Sequence, residues 1–170
     1  MEIVETEVGR HAWGDLRCGC GRSAAHLEVD LLRLATAEDK ASSDIDSLQG
    51  HVFMPSVIFE PAVPVVSVAL AALADDVSDD ARVAFLYLLL ILVGDEGQAV
   101  EAWAEGRNLP SECVAAAKGG IWTLYSEVFS GRSVDAASYA YEVLDIIEDD
   151  RERLDSVRVA AAASLRWDLR

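Results

Sequence analysis

The feature that most constrains this chain is an uninterrupted apolar run of eleven residues, VAFLYLLLILV, at positions 83–93. A membrane-spanning helix needs about 20 apolar residues, so the run is too short to cross a bilayer. Asp79 and Asp80 precede the run and Gly94 follows it, as start and stop signals of a helix would. The run therefore predicts a fully buried core helix around which neighbouring helices pack.

Most of the remaining chain also has helical patterning. It contains 4 prolines, three of them between Pro55 and Pro64, and only residues 51–53 and 57–59 resemble short strands. Gly119 and Gly120 mark a weak point in one predicted helix. The predicted helices cover residues 23–37, 43–48, 61–74 (or 64–74), 78–93, 96–105, 110–129, 133–147 and 149–169.

About eight helices joined by short loops predict an all-α fold. No linker is long enough to divide the 170 residues, so we expect one domain over 1–170, with residues 1–20 as a candidate irregular segment. Two architectures fit, namely a closed helical bundle or a stack of helical pairs.

A resemblance favours the stack. The sequences WGDL at 13–16, GRSA at 21–24, LQGHVF at 48–53 and EPAVPVV at 60–66 resemble those of small bacterial HEAT-repeat proteins, common in actinobacteria. The resemblance covers residues 13–93. It implies a short HEAT/armadillo-like α-solenoid without known catalytic residues, and some proteins of this kind act as adaptors or as immunity-like partners of toxins.

Charge gives the clearest functional signal. The chain has 30 acidic residues against 14 lysines and arginines, for a net charge of -16, which argues against binding to nucleic-acid phosphates. The acids can be a solvated surface with caps at helix starts, or an electronegative face that steers a basic protein. The candidate partner-binding residues are Asp75, Asp76, Asp79, Asp80, Asp95, Glu96, Glu148, Asp149 and Asp150.

The Cys18-Gly19-Cys20 motif is the strongest candidate for metal chemistry. Zinc takes four nitrogen or sulfur ligands, and a second matching pair is not evident, because His11 and His26 are scattered and Cys113 is remote. A zinc site, a redox or disulfide role and plain turn residues are the three interpretations. We expect turn residues, with no metal and no cofactor.

Other motifs point away from catalysis. The GCGRSA sequence at 19–24 matches a dinucleotide fingerprint on paper but lacks the preceding buried strand. His51 has no nucleophile or paired acid in a known signature, so we expect a structural histidine. Trp103 and Trp122 lie on apolar helix faces, where core packing is the expected role and an exposed binding anchor the alternative.

These patterns predict a non-enzymatic protein-interaction module. Its sharpest form is an acidic, immunity-like protein that occludes a basic partner such as a toxin. The alternative is a scaffolding subunit that self-associates through an apolar helix face, and an enzyme or cofactor-binding protein is a third interpretation. The acidic start, MEIVETE, lacks a signal-peptide apolar segment, so we expect a cytoplasmic protein without a membrane or nucleic-acid partner. The oligomeric state stays open.

Overall fold

The structure, a computed structural model, describes residues 1–94 and 106–170. Within those ranges α-helices dominate and strands are short, so the prediction of an all-α fold is confirmed. The strands β1 (Phe53–Met54) and β2 (Val57–Ile58) pair antiparallel. The α-helices are α1 (Glu2–Gly9), α2 (Leu27–Ala35), α3 (Ala62–Ala74), α4 (Asp79–Gly94), α5 (Leu109–Lys118), α6 (Ile121–Phe129), α7 (Val134–Ile147) and α8 (Arg151–Ala160). The helix predicted over 96–105 lies outside the described residues.

Helix α4 contains the apolar run and lies at the centre of the molecule. It packs against α2, α3, α5 and α7, and most of its side chains are buried, as predicted. Ser78 caps its first turn by accepting a hydrogen bond of 3.1 Å from the Ala81 N–H, and Ser133 caps α7 in the same way. Tyr87 is the exception within the run, because 43% of its surface is exposed. None of the described helices is both long and apolar enough to span a membrane.

The segment predicted as one helix over 110–129 is two helices, α5 and α6. They separate at Gly119 and Gly120, the predicted weak point. A Cβ on Gly120 would lie 2.4 Å from the Leu70 side chain of α3, so a glycine is needed for the turn to approach that helix.

The last predicted helix, over 149–169, is shorter than expected. Helix α8 begins after Asp150, whose carboxylate accepts the Arg153 N–H at 3.0 Å, and it ends at Ala160. Beyond it the chain turns inward and buries Leu165, while the Arg166 N–H donates to the Ser138 hydroxyl of α7. The segment that buries Leu165 thus takes the place of the last two turns of the predicted helix.

Residues 1–20 include a helix that the sequence patterning did not predict. Helix α1 buries Val4 and Val8, one turn apart, against α2 and α3. Trp13 follows it, is fully buried, and donates from its indole Nε1 to the Val8 carbonyl at 2.8 Å. The remainder of the 1–20 segment is irregular.

The segment between α2 and α3 consists of turns and one small hairpin. The helix predicted over 43–48 is a single 3-10 turn, Asp46–Leu48. The strand-like pieces near 51–53 and 57–59 form β1 and β2, joined by a tight turn in which Ser56 has a positive φ of 61°. The expected helix start at Ser23 is a 3-10 turn, Ala24–His26, that continues into α2.

A buried ion pair joins three helices of the core. Arg82 of α4 donates to Glu127 of α6 at 2.7 Å and to the Leu73 carbonyl at the end of α3, also at 2.7 Å. Arg82 Nε and Glu127 Oε2 have no hydrogen-bond partner among the described residues. The pair therefore fixes the relative positions of α3, α4 and α6 through few but well-placed contacts.

Candidate functional site

An open cleft of about 540 Å³ lies between the 40–46 loop, the start of α4 and the start of α7. Lys40 is the one basic side chain among the described residues that line it. Five exposed aspartates also line it, so three separate segments bring like charges to one place. We call this the acidic cleft. Its aspartates are Asp44, Asp46, Asp79, Asp80 and Asp135.

Two tyrosines form an aromatic floor in the acidic cleft. The rings of Tyr87 and Tyr139 have centroids 5.3 Å apart. The Arg166 guanidinium lies 5.1 Å from the Tyr139 ring centroid, and Arg132 lies 3.8 Å from the Asp79 carboxylate. Arginine therefore already contacts both an aromatic ring and an acid at this site. Carboxylates beside aromatic rings attract ammonium and guanidinium groups.

Two of the predicted partner-binding acids are occupied by contacts within the chain. Asp75 accepts hydrogen bonds from the Met1 ammonium at 2.7 Å and from the Ile3 and Val4 N–H groups of α1. The ammonium lowers the pKa of Asp75 to about 2. This carboxylate therefore caps α1 and attaches it to the end of α3.

Glu148 is likewise internal, with 4% of its surface exposed. It accepts from the Tyr125 hydroxyl and from Arg153, both at 2.6 Å, and from the Asp150 N–H at 2.8 Å. Burial alone would raise the pKa of Glu148, but these hydrogen bonds outweigh burial and lower it to about 2. Glu148 thus fixes the turn between α7 and α8.

The other predicted acids are divided among several places. Asp79 and Asp80 line the acidic cleft, while Asp76 is exposed near them in sequence. Asp149 pairs with Lys118 at 2.6 Å, and Asp150 is the cap of α8. Asp95 and Glu96 lie outside the described residues.

A second candidate site unites the Cys18-Gly19-Cys20 motif with two histidines. The ligand atoms of Cys18, Cys20, His26 and His51 all lie within 4.8 Å of one another. Cys18 Sγ is 3.3 Å from Cys20 Sγ, 3.1 Å from His51 Nδ1 and 3.7 Å from His26 Nε2. The two histidine nitrogens are 3.0 Å apart. We call these four residues the Cys/His cluster.

The backbone explains why the cysteines project together. Gly21, with φ +80°, returns the chain so that the Cys18 N–H donates to the Arg22 carbonyl at 2.9 Å. Gly19 donates to the His51 carbonyl at 3.0 Å, which holds the two loops in contact. A Cβ on Gly19 would lie 2.3 Å from the Phe59 ring, so this contact requires glycine.

The two thiols differ in their electrostatic surroundings. Burial raises the pKa of Cys18 to about 11. Hydrogen bonding with the Arg22 backbone and with the Cys18 thiol lowers the pKa of Cys20, which is exposed, to about 6. Cys113 lies on α5, where burial raises its pKa to about 12, and it takes no part in the cluster.

Two further predicted residues have different surroundings. His11 pairs with Glu7 at 3.0 Å and contacts the Trp13 ring, outside the Cys/His cluster. Trp122 is 69% exposed and lies against Arg153, so its expected role in the core is wrong. Trp103 lies outside the described residues.

Sequence patterning missed the second pair of cluster ligands. The expectation of no metal rested on the absence of that pair, and His26 and His51 supply it in space. The spacing of these histidines from the cysteines matches no regular metal-binding motif. The usable signal was that Cys18, Cys20 and His51 each lie next to a glycine in a loop. Likewise, Asp44 and Asp46 enter the acidic cleft through a loop that the charge clusters did not highlight.

Comparison of the chain with family models, with curated proteins and with solved structures finds no match.

Proposed function

We propose that the protein is a non-enzymatic protein-interaction module whose acidic cleft receives a basic segment of a partner protein. The observation that carries this proposal is the convergence of five exposed aspartates from three segments above a pair of tyrosines. Lysine and arginine side chains fit such a surface in two ways. Their cationic groups form charge-assisted hydrogen bonds with the carboxylates and cation–π contacts with the faces of the tyrosine rings.

Helix capping does not account for the whole acidic cleft. Asp79, Asp80 and Asp135 lie in first helical turns, where the helix dipole favours acids. Asp44 and Asp46 belong to no α-helix: Asp44 accepts the Asp46 N–H at 2.8 Å where a 3-10 turn begins, and both residues line the same cleft. Because all five are exposed, their charge reaches solvent and can accelerate association with a basic protein.

In its sharpest form the proposal is an immunity-like cytoplasmic protein that occludes a basic toxin, which the HEAT-repeat resemblance implies. The solenoid arrangement also stays a prediction. The packing of α3 on α4 and of α6 on α7 is what stacked helical pairs require. The packing of α4 on α7 joins helices that are distant in the sequence and suits the closed bundle.

Binding of an arginine- and lysine-rich model peptide tests the acidic cleft. We expect Asp80→Asn with Asp135→Asn to weaken binding about tenfold at low salt, because two exposed charges are lost from the site. Fluorescence anisotropy at low and high salt measures the effect, and a glutamate-rich peptide of equal length should not bind.

The matched control is Glu28→Gln with Glu152→Gln, which removes the same charge from exposed positions outside the acidic cleft that take part in no ion pair among the described residues. We expect the control to retain most of the affinity. Equal weakening by both pairs would mean that diffuse charge attracts the peptide, and the acidic cleft would lose its assigned role.

Exposed aromatic residues on α6 favour the scaffolding alternative as a second candidate. Trp122 and Phe129 are 69% and 53% exposed, and their spacing of two helical turns places them on one face. Self-association through this face would make the sedimentation coefficient depend on concentration, and Trp122→Ala would abolish that dependence. A monomer at all concentrations would contradict this candidate and leave the cleft proposal unaffected.

A further inference from the structure

We infer that Cys18, Cys20, His26 and His51 form a tetrahedral zinc site that links three loop segments. The proposal is independent of the acidic cleft. It rests on the convergence of two thiols and two imidazole nitrogens, all within 4.8 Å of one another, from positions up to 33 residues apart.

The interatomic distances match the dimensions of a zinc tetrahedron. Zn–S bonds of about 2.3 Å and Zn–N bonds of about 2.0 Å give ligand–ligand edges of about 3.8 Å for S–S, 3.5 Å for S–N and 3.3 Å for N–N. The corresponding distances are 3.3 Å for Cys18–Cys20, 3.1 and 3.7 Å for Cys18 with His51 and His26, and 3.0 Å between the histidines. These four of the six edges are within about half an ångström of the ideal values, and the two distances from Cys20 to the histidines are at most 4.8 Å, so side-chain rotation of the exposed Cys20 would complete the coordination.

The donor set selects the metal. Two thiolates and two imidazoles in a compact arrangement suit zinc, whereas calcium and magnesium require oxygen ligands. Two thiolates also neutralise the charge of Zn²⁺, which removes the cost of placing a dication beside the buried Cys18. Four protein ligands leave no position for substrate, so the site is structural in type.

The surrounding backbone supports the sulfur atoms. The Cys18 N–H donates to the Arg22 carbonyl and the Gly21 N–H donates to the Cys18 carbonyl, both at 2.9 Å, so the turn that carries both sulfurs is fixed by its own backbone. Contacts of this kind around a site hold the metal ligands in position. Gly19 adds a bond to the His51 carbonyl, so the cysteine turn and the histidine loop are already aligned without the metal.

Hydrogen bonding among the four side chains is a weaker explanation of the geometry. A thiol has one proton, which the His51 carbonyl at 3.6 Å can accept, whereas three further polar atoms, on Cys20, His26 and His51, lie within 3.7 Å of Cys18 Sγ. A disulfide between Cys18 and Cys20 needs an S–S bond of about 2.05 Å, and the sulfurs are 3.3 Å apart as free cysteines. One cation would satisfy all four ligand atoms at once.

A bound zinc ion would cross-link a part of the chain that has little helical structure. The site joins the turn at Cys18 and Cys20, the 3-10 turn before α2 and the loop before β1. A metal bound only by the folded chain stabilises it by mass action. At zinc concentrations of about 100 times the dissociation constant, we expect the thermal midpoint to rise by about 5–10 °C.

Cobalt titration of the full chain tests the proposal. The protein is stripped of metal with a chelator under reducing conditions and titrated with Co²⁺, whose visible bands report tetrahedral coordination and whose near-ultraviolet band reports thiolate bonding. We expect saturation at one Co²⁺ per chain and displacement of the Co²⁺ by Zn²⁺.

Two pairs of variants locate the binding. Cys20→Ala and His26→Gln remove ligands, and we expect each to weaken Co²⁺ binding by at least about 100-fold. Cys113→Ala and His11→Gln remove the same groups outside the cluster and should bind as the parent protein does. Cys20 is exposed, so its replacement leaves the fold intact, and circular dichroism verifies this.

Three results would overturn the proposal. The first is the absence of tetrahedral bands in reduced protein. The second is binding that survives both ligand variants, which would place Co²⁺ elsewhere, such as on the carboxylates of the acidic cleft. The third is a stable Cys18–Cys20 disulfide in freshly purified protein, seen as a mass lower by two hydrogens, together with no metal uptake after reduction.

Discussion

The region of residues 10–60, apart from α2, and the region of residues 62–94 and 106–160 bury their apolar side chains by different means. In the second, which we call the helical region, each described helix satisfies its own backbone while it buries apolar side chains, as α4 does with Phe85, Leu88 and Leu92. In the first, which we call the loop region, side chains such as Trp13 and Leu48 are equally buried with little helix around them.

The difference lies in how the backbone polar groups are satisfied. Buried N–H and C=O groups need partners, and outside helices each partner must be supplied individually. In the loop region the Arg17 N–H donates to the buried Glu60 carboxylate at 2.7 Å, and Gly19 donates to His51. A helical region tolerates many changes on its surface, whereas a loop region depends on a few specific residues. The following predictions test that contrast, beginning with the largest effect.

Arg82→Met tests whether the helical region also depends on one specific polar contact. The change leaves Glu127 buried without its cationic partner, and we expect a loss of about 3–5 kcal/mol in the free energy of unfolding. Denaturant unfolding measures it. The loss should exceed that of any exposed substitution in the same helices.

The control is the double variant Arg82→Met with Glu127→Met, which removes both charges and fills similar volume. We expect it to recover most of the lost stability, since apolar replacement of a buried ion pair is often neutral. If the double variant is as unstable as the single one, the hydrogen bonds of Arg82 to the Leu73 and Asp75 carbonyls carry the effect.

The helical region was also the more predictable from sequence. Periodic apolar residues, Ser78 and Ser133 as caps, and the glycines at 119 and 120 located its helices to within a few residues. The exceptions have a tertiary cause. Helix α8 ends at Ala160, and two 3-10 turns follow it with the buried Leu165 between them, an arrangement that no local pattern predicts.

Gly19→Ala tests the loop region at its closest contact. An added methyl group would overlap the Phe59 ring and lie 2.6 Å from the Gly50 carbonyl, so the two loops must separate. We expect a loss of about 1–3 kcal/mol in the free energy of unfolding. Gly14→Ala is the matched control, because a Cβ there meets no atom within 4 Å. If the two variants are equally stable, the cysteine turn can separate from the His51 loop without a loss of stability, which would contradict this prediction.

The candidate sites were harder to predict because long-range loop contacts create them. Cys18 and Cys20 were recognisable as a motif, but their proximity to His51 depends on the bond between Gly19 and the His51 loop. Similarly, Asp79 and Asp80 were identified as a charge cluster, whereas their approach to Asp44 depends on the path of the 40–46 loop. The residue types of both sites could be identified from the sequence, but their proximity in the folded chain could not.

Glu148→Gln tests a second place where the helical region resembles the loop region, the turn between α7 and α8. The pKa of Glu148 is about 2 in the folded protein, below its ordinary value of about 4.5 in the unfolded chain, so its stabilising effect is complete above about pH 4.5 and disappears as the pH falls toward 2. At pH 7 we expect the variant to lose about 1–3 kcal/mol, because the pKa difference sets an upper limit of about 3 kcal/mol, and the thermal midpoint should fall by about 2–12 °C. The midpoints of the parent and variant should converge as the pH approaches 2. Glu152→Gln, at an exposed position of α8, should stay within about 0.5 kcal/mol of the parent. If the thermal midpoints of the parent and Glu148→Gln differ by the same amount at every pH, the shape of the side chain rather than its charge fixes the turn. The turn would then behave like the rest of the helical region and not like the loop region.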